Sequence, residues 1–271
     1  MPSCTFLENR INYLESNDED QNTTEQNLND WFNSLYDWQA EEFIGATKDY
    51  SEVCLCAANQ VGKTRTGSGV DACHLTGFYP DGWEGHTFDH APLIWCLGYS
   101  GEKTRDLIQA KLFGQFIEKR FQGGLIHASQ IIDWQSMTGT PGAMRTVRVR
   151  HKQGISTVQF WSYSQGQHAI MGDSIDWFHV DEEPKDQSIY PQVITRTTTG
   201  DNGDGGRGIL TFTPENGRTS LVIKFMDDPG SGQKFIRKGW DDAPHLDDQV
   251  CLLYTSPSPR DRTRSRMPSS A

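Results

Sequence analysis

Apolar positions along the chain fall into short runs and into two periodicities, and these predict its elements. In Asn29 to Phe43 the residues Trp31, Leu35, Trp38 and Phe43 follow helical spacing behind an Asn29 or Asp30 cap, so a helix is expected. Glu52 to Ala57 (EVCLCA) is a short buried-strand pattern, followed by a Gly-containing turn and a helix from Lys63 to about Leu75. Pro80 to Pro92 is loop, Leu93 to Leu97 a second strand, and Gly101 to Phe116 an amphipathic helix. Arg145 to Arg150 and Ile155 to Tyr163 alternate apolar and polar residues around His151 to Gly154, which predicts a hairpin. Ile175 to Val180 and Ile209 to Phe212 read as strands and Ile189 to Thr197 as a helix, while Asp227 to Gly232 is loop and the chain beyond it to Val250 is polar. There is no internal repeat. Strands alternating with helices make the fold class α/β, a mostly parallel central sheet flanked by helices.

Composition changes this picture at the two ends. The 271 residues carry 36 acids and 25 bases, a net charge of −11. Residues 1–50 hold 11 of those acids against only Arg10 and Lys48. Ser16 to Asp30 is almost entirely Asn, Asp, Glu, Gln and Thr. Such a stretch offers little apolar surface to offset its ordering entropy, so residues 1–28 are expected to form an acidic, disordered leader. The acidity also argues against a general basic coat for nucleic acid. The densest basic stretch, Arg145, Arg148 and Arg150 with His151 and Lys152, either meets a DNA backbone or is a solvated hairpin. No apolar run approaches the roughly 18 residues of a membrane span. Met1 to Arg10 has no apolar secretory core. The six cysteines are dispersed and form no C-x-x-C pair, which excludes a disulfide framework or zinc ribbon.

The C-terminal 21 residues differ in kind. They are rich in Ser, Pro and Arg, with Asp261 as the one acid. Cys251 to Asp261 and Ser265 to Ala271 match, in frame, the translated arms of a transposon-type sequencing-library adapter. Arg262 to Arg264 stand where a sample index would lie. We therefore read 251–271 as a non-native tail and the biological sequence as running to about Val250.

Two motifs carry chemistry. Ala57 to Thr64 reads A-A-N-Q-V-G-K-T between a strand and a helix, the setting of a phosphate loop. Backbone N–H groups from Ala58, Asn59, Gln60, Val61 and Gly62 would cradle phosphates at the helix start. Lys63 would reach the β- and γ-phosphates, and the Thr64 hydroxyl would hold Mg²⁺. Ala57 stands where the general motif has its first Gly. The second motif is Asp176 to Pro184 (DWFHVDEEP), an apolar strand ending in acids. Asp181 would bind Mg²⁺, and Glu182 would orient and deprotonate the attacking water. His179, on the strand before them, is expected to be a packing residue.

Taken in order and at these spacings, the motifs resemble the large terminase subunit of tailed bacteriophages, in its N-terminal ATPase motor. The resemblance runs from about Asp30 to Val250. It rests on the N-Q-x-G-K-T loop, on Ser164 to Pro184 with Gly166, Gly172 and Asp176, on Gly208 to Gly217 (GILTFTPENG) as a coupling motif, and on Trp240 to Leu246 (WDDAPHL) as the segment leading out of the motor. It implies a P-loop NTPase fold of the ASCE type, with ATP and Mg²⁺ as cofactors. Thr211 and Thr213 would lie near the γ-phosphate, and Gln39 would read the adenine edge or be a surface Gln on its helix. The sequence departs from the family in its arginines. Asn59 occupies the place of an Arg within the loop, and Gln167 and Met171 the region of one before the acidic motif. Arg196, ahead of Arg207, becomes the candidate finger.

The resemblance further implies coupling of ATP hydrolysis to translocation of double-stranded viral DNA into a capsid. Its partners would be that DNA, the small terminase subunit and the portal, in a homo-oligomeric ring within the cytoplasm of the infected bacterial host, with no membrane. The expected divisions are a leader (1–28), an ATPase domain (29–220), the start of a connection to a nuclease domain absent from the chain (221–250), and the tail. No nuclease activity is expected. A helicase- or recombinase-type ATPase, or a silent fragment that only binds packaging partners, are the alternatives.

Overall fold

The computed structural model describes residues 22–165, 174–203, 205–213 and 219–246. The leader before residue 22 and the tail 251–271 lie outside them, as do Gly166, Gln167, Met171, Gly172, Pro214 and Gly217.

The first described element is a helix over 22–33 (α1). This corrects the expected disorder of residues 22–28. Thr24, Leu28 and Trp31 are buried, at helical spacing, and attach an otherwise polar helix to the core. Helix α2 follows, a π-helical segment Trp38–Ile44 running into Gly45–Asp49. Then come β1 (Glu52–Ala57), α3 (Lys63–Thr76) and β2 (Leu93–Gly98). Helix α4 comprises Gly101–Thr104, a π turn Arg105–Gln109 and Ala110–Phe113. It stops short of the expected Phe116, because Gly114 turns at φ +79° into a small hairpin, β3 (Gly114–Ile117) and β4 (Arg120–Gly123). Strands β5 (Ile131–Ser136), β6 (Met144–His151) and β7 (Gly154–Ser162) form an antiparallel meander. It contains the expected 145–163 hairpin. The remaining elements are β8 (Trp177–Asp181), α5 (Ile189–Thr197), β9 (Arg207–Phe212), α6 (Ser220–Asp227) and β10 (Gln233–Lys238).

Eight strands form one sheet in the order β10-β1-β9-β8-β2-β7-β6-β5. From β10 to β7 all neighbours are parallel, and β6 and β5 add an antiparallel edge. Both faces are covered. Val53, Leu55, Ile94, Trp177 and Ile209 face a core shared with α1 to α4. Their strand neighbours Cys54, Trp95, Leu97, Phe178 and Leu210 face a second core with α5 and α6. This alternation is the period-2 geometry of strands between two helical layers.

Two details position the site. Strand β9 lies between the phosphate-loop strand β1 and the acidic strand β8. The C-terminal ends of all three, Ala57, Phe212 and Asp181, therefore meet at one edge of the sheet. The sheet also continues past residue 220. Strand β10 pairs with β1 along its whole length, although its polar sequence gave no strand signal. It is an edge strand, and its exposed Lys234 and Arg237 keep it charged.

Candidate nucleotide site

The chain leaves β1 at Ala57 and enters α3 at Lys63 through a loop held in two left-handed turns, Gln60 at φ 66° and Gly62 at φ 93°. Alternating handedness of this kind points successive N–H groups inward and forms an anion-binding concavity at a helix N-terminus. Lys63 is buried at its mouth. Its Nζ donates to Ala57 O at 3.1 Å, to Ala58 O at 2.9 Å and to the Thr213 hydroxyl at 2.7 Å. The Thr213 hydroxyl passes its own proton to Asn59 Oδ1 at 2.8 Å. Asn59, where the resemblance would have an arginine, thus ties the loop to the end of β9.

The acidic strand arrives at the same place. The Thr64 hydroxyl donates to Asp181 Oδ1 at 3.1 Å. A hydroxyl and a carboxylate oxygen so close form a hard donor pair that fits Mg²⁺, which takes oxygen ligands and retains several waters. Glu182 follows in a left-handed conformation, φ 61°. Its N–H is bonded to Thr211 O at 2.8 Å and its Oε2 accepts from Thr213 N at 3.4 Å. The Tyr163 hydroxyl donates to Asp181 O at 3.0 Å and Glu182 O at 2.7 Å, clamping this turn from below. Burial, with the charges of Asp181, Glu182 and Glu183, pushes the Tyr163 phenol well above its ordinary value, so it remains a donor. A cavity of about 510 Å³ opens beside Asp181, Glu182, Glu183 and Thr213.

Lys63, Thr64, Asp181, Glu182 and Thr213 are therefore brought together as expected, with the loop residues Ala58, Asn59, Gln60, Val61 and Gly62 around them. Three other expectations change. Gln39 is buried, its Oε1 taken by Tyr36 N at 2.9 Å and its Nε2 by Val61 O at 3.3 Å. It braces the phosphate loop from beneath rather than presenting its amide to a base. Thr211 does not face the phosphate region. It is fully buried and donates to Asp181 Oδ1 from behind at 2.8 Å. Arg196 lies at the other edge of the sheet. Its carbonyl accepts from Ile175 N at 3.0 Å, and Ile175 precedes Asp181 by six extended residues, about 20 Å. Arg207 is at that far edge too, with Nη1 on Lys48 O at 3.2 Å. Neither reaches Asp181 within the same chain. Of the basic stretch, Arg148 is paired to Asp133 and Arg145 lies 3.1 Å over the Trp161 ring, so both are engaged within the chain.

Several neighbours were not legible in the sequence. Lys103, at the start of α4, and Lys185, just after the acidic motif, line the cavity. Lys185 donates to the Tyr99 hydroxyl at 3.3 Å. The segment expected to lead away from the site folds back over it. Trp240 Nε1 donates to Asn59 O at 3.0 Å, His245 Nε2 bonds Gln60 O at 3.1 Å, and the His245 ring stacks on Tyr36 with centroids 5.9 Å apart. His179 also does more than pack. Its Nδ1 is 2.6 Å from Asp71 Oδ2 and its Nε2 2.9 Å from the Thr211 hydroxyl. Burial opposes protonation of this ring, but the charge and hydrogen bond of Asp71, with Asp181 beyond, hold it above the ordinary histidine value.

Comparison with known proteins agrees with this geometry. A family model described as terminase large subunit, T4likevirus-type, N-terminal, matches residues 54–262. The large terminase subunit of Salmonella phage P22 is 35% identical over 265 residues, spanning 89% of this chain and 51% of that protein. A structure of the large terminase from a thermophilic bacteriophage, in complex with ADP, shares the fold, with a TM-score of 0.51 at 11% identity over 85% of this chain and 48% of that one. A second crystal form of the same thermophilic phage protein gives a TM-score of 0.50 at 13% identity over 85% of this chain and 48% of that one. The chain spans about half the length of the relatives it matches. By the family match over most of its length and its likeness to the phage P22 protein, it belongs to the terminase large subunit family.

Proposed function

We propose that this chain is the ATP-hydrolysing motor of a phage large terminase, coupling hydrolysis to movement of double-stranded viral DNA into the capsid. It would act in the cytoplasm of the infected bacterium, as a ring of copies at the portal, with the small terminase subunit. The observation that carries the reading is the meeting of Lys63, Thr64, Asp181, Glu182 and Thr213 at one sheet edge. Among the described residues no helix is long and apolar enough to cross a membrane. The thermophilic phage terminase whose fold matches was solved as a complex with ADP, which supports a nucleotide as the ligand here.

The chemistry follows from the residues. Lys63 exchanges its carbonyl partners for phosphate oxygens and neutralises charge there. Thr64 and Asp181 would hold Mg²⁺, which supplies further charge neutralisation on the phosphates when bound. Glu182 orients the attacking water and accepts its proton. Thr213 touches Lys63, Asn59 and Glu182 together and starts the segment after β9, so a change in any of these bonds is passed to that segment. Arg196 and Arg207 lie at the other edge; among the described residues, Lys103 and Lys185 are the cations that line the cavity.

The test is DNA-stimulated ATP hydrolysis and nucleotide binding by the full chain. Wild type is expected to hydrolyse ATP faster with duplex DNA. Lys63→Ala should abolish nucleotide binding. Glu182→Gln should bind nucleotide but lose about 10²-fold or more in turnover. Strand separation would favour the helicase reading, and a wild type that binds no nucleotide would leave only the silent fragment. We propose as well that residues 251–271 take no part in this function. The family match itself extends to residue 262, so this boundary rests on the adapter codons, and source DNA read through the same tail without adapter would remove it.

A further inference from the structure

Behind the Thr64–Asp181 pair lies a buried polar line that the hydrolysis just described does not use. Asp71 on α3, His179 on β8 and Thr211 on β9 are all fully buried. Asp71 Oδ2 lies 2.6 Å from His179 Nδ1, His179 Nε2 lies 2.9 Å from Thr211 Oγ1, and Thr211 donates to Asp181 Oδ1 at 2.8 Å. Trp177 Nε1 at 2.8 Å and Cys96 Sγ at 3.6 Å also donate to Asp71. Helix α3 can approach this closely because residue 67 is glycine. A Cβ there would stand 2.5 Å from the His179 ring.

Asp71, Cys96 and His179 bring ligand-type atoms within 4.8 Å of one another, but they are not spaced as a metal centre. Two ligands on one zinc stand about 3.3 Å apart, and the 2.6 Å between Asp71 and His179 is a hydrogen bond. The proton inventory then gives the line a direction. A threonine hydroxyl has one proton, and here it goes to the Asp181 carboxylate, which accepts. The Thr211 oxygen therefore accepts from His179 Nε2, while Nδ1 shares the 2.6 Å hydrogen bond with Asp71. From His179 Nε2 onward the donors point toward Asp181, and the line ends on the oxygen that also takes the Thr64 hydroxyl.

We propose that Asp71 and His179 are positioning residues for the metal site: they hold the Thr211 hydroxyl toward Asp181 and so keep that carboxylate facing Thr64. This rests on reading Thr64 and Asp181 as Mg²⁺ ligands. Neither Asp71 nor His179 touches nucleotide or metal. Outer partners that orient a metal ligand typically contribute 10–100-fold in metal affinity or activity.

The experiment uses Mn²⁺ as a spectroscopic probe, its binding to the full chain with ADP followed by electron paramagnetic resonance. His179→Phe and Thr211→Val should each weaken Mn²⁺ binding about tenfold or more, and ADP binding in chelator should stay as in wild type. The double variant should be no weaker than the worse single one, because the two residues act in series. Thr211→Ser, which keeps the hydroxyl, should restore wild-type affinity. A merely structural role would lower the melting temperature and leave Mn²⁺ affinity alone. If His179→Phe fails to fold, Thr211→Val, close to threonine in shape, carries the test. Folded variants that bind Mn²⁺ like wild type would overturn the positioning role. A wild type that binds no Mn²⁺ with ADP would overturn it together with the proposed ATPase site, a result distinguishable because it appears before any substitution is made.

Discussion

Gly69→Ala tests whether the polar helix α1 is part of the fold. Gly69 lies in the middle of α3, and a Cβ placed there would meet Trp31 Cε2 at 1.9 Å, Cζ2 at 2.0 Å and Nε1 at 2.5 Å. The indole is rigid and only 3% exposed, so it must leave its slot or α1 must lift away. Two terms oppose each other. Alanine gains about 1 kcal/mol of helix propensity over glycine. Overpacking costs about 1–3 kcal/mol, and full loss of a buried Trp costs about 3–5 kcal/mol. Overlap with a flat ring that cannot bend places the cost toward the upper end. The expected net loss is about 1–3 kcal/mol, or a melting temperature lower by about 3–10 °C for a domain of this size. The assay is urea unfolding followed by far-UV circular dichroism, for wild type, Gly69→Ala, Trp31→Ala and the double variant. Without Trp31 the clash is gone but the propensity gain remains, so Gly69→Ala should then stabilise by about 1 kcal/mol. If it stabilises equally in both backgrounds, Trp31 does not lie on α3 and the docking of α1 is refuted.

Two further outcomes are expected. Thr213→Val removes the hydroxyl that links Lys63 to Asn59; turnover should fall about tenfold or more, the typical loss for a hydrogen bond to a charged group, with little change in nucleotide affinity, and paired kcat and binding measurements check the split. Acid should destabilise the chain through two histidines, the half-buried His86 and the buried His151. Burial first, then the Arg207 and His90 charges, lowers His86 from 6.5 to about 4, and burial, then His90 and Lys152, lowers His151 from 6.5 to about 4. Between those values the unfolded chain binds more protons than the folded one, so this contribution is fully present above pH about 6.5 and is lost as pH falls toward about 4. Discounted for solvent screening, each is worth about 1–2 kcal/mol. Urea midpoints across this range should fall with acidification and fall less in a His86→Gln, His151→Gln variant; identical profiles would count against it.

Strands β1, β2, β8 and β9, the β6–β7 hairpin and helices α3 and α5 were legible because their signals are local. An apolar run between turn residues, a strict alternation and a G-K-T at a helix start each declare themselves within a dozen residues. So did the pairing of Lys63 and Thr64 with Asp181 and Glu182, since each motif ends a strand and parallel strands bring such ends to one edge. The signals that failed were those outvoted by composition. Thr24, Leu28 and Trp31 keep helical spacing, but the polar residues between them read as a leader. Strand β10 is polar because it is an edge.

What the sequence by itself determined is the set of elements and the two motifs, since periodicity and motif chemistry are properties of neighbouring residues. Only the tertiary structure decided which distant residues meet, because strand order and the edge at which a helix ends leave no local trace. Strand order put Thr211 behind Asp181 and Thr213 on Lys63. The close approach of α3 at Gly67 joined Asp71 to His179, 108 positions apart. Arg196 was set about 20 Å from the chemistry expected of it, while the chain from Trp240 to His245 was folded back onto the phosphate loop.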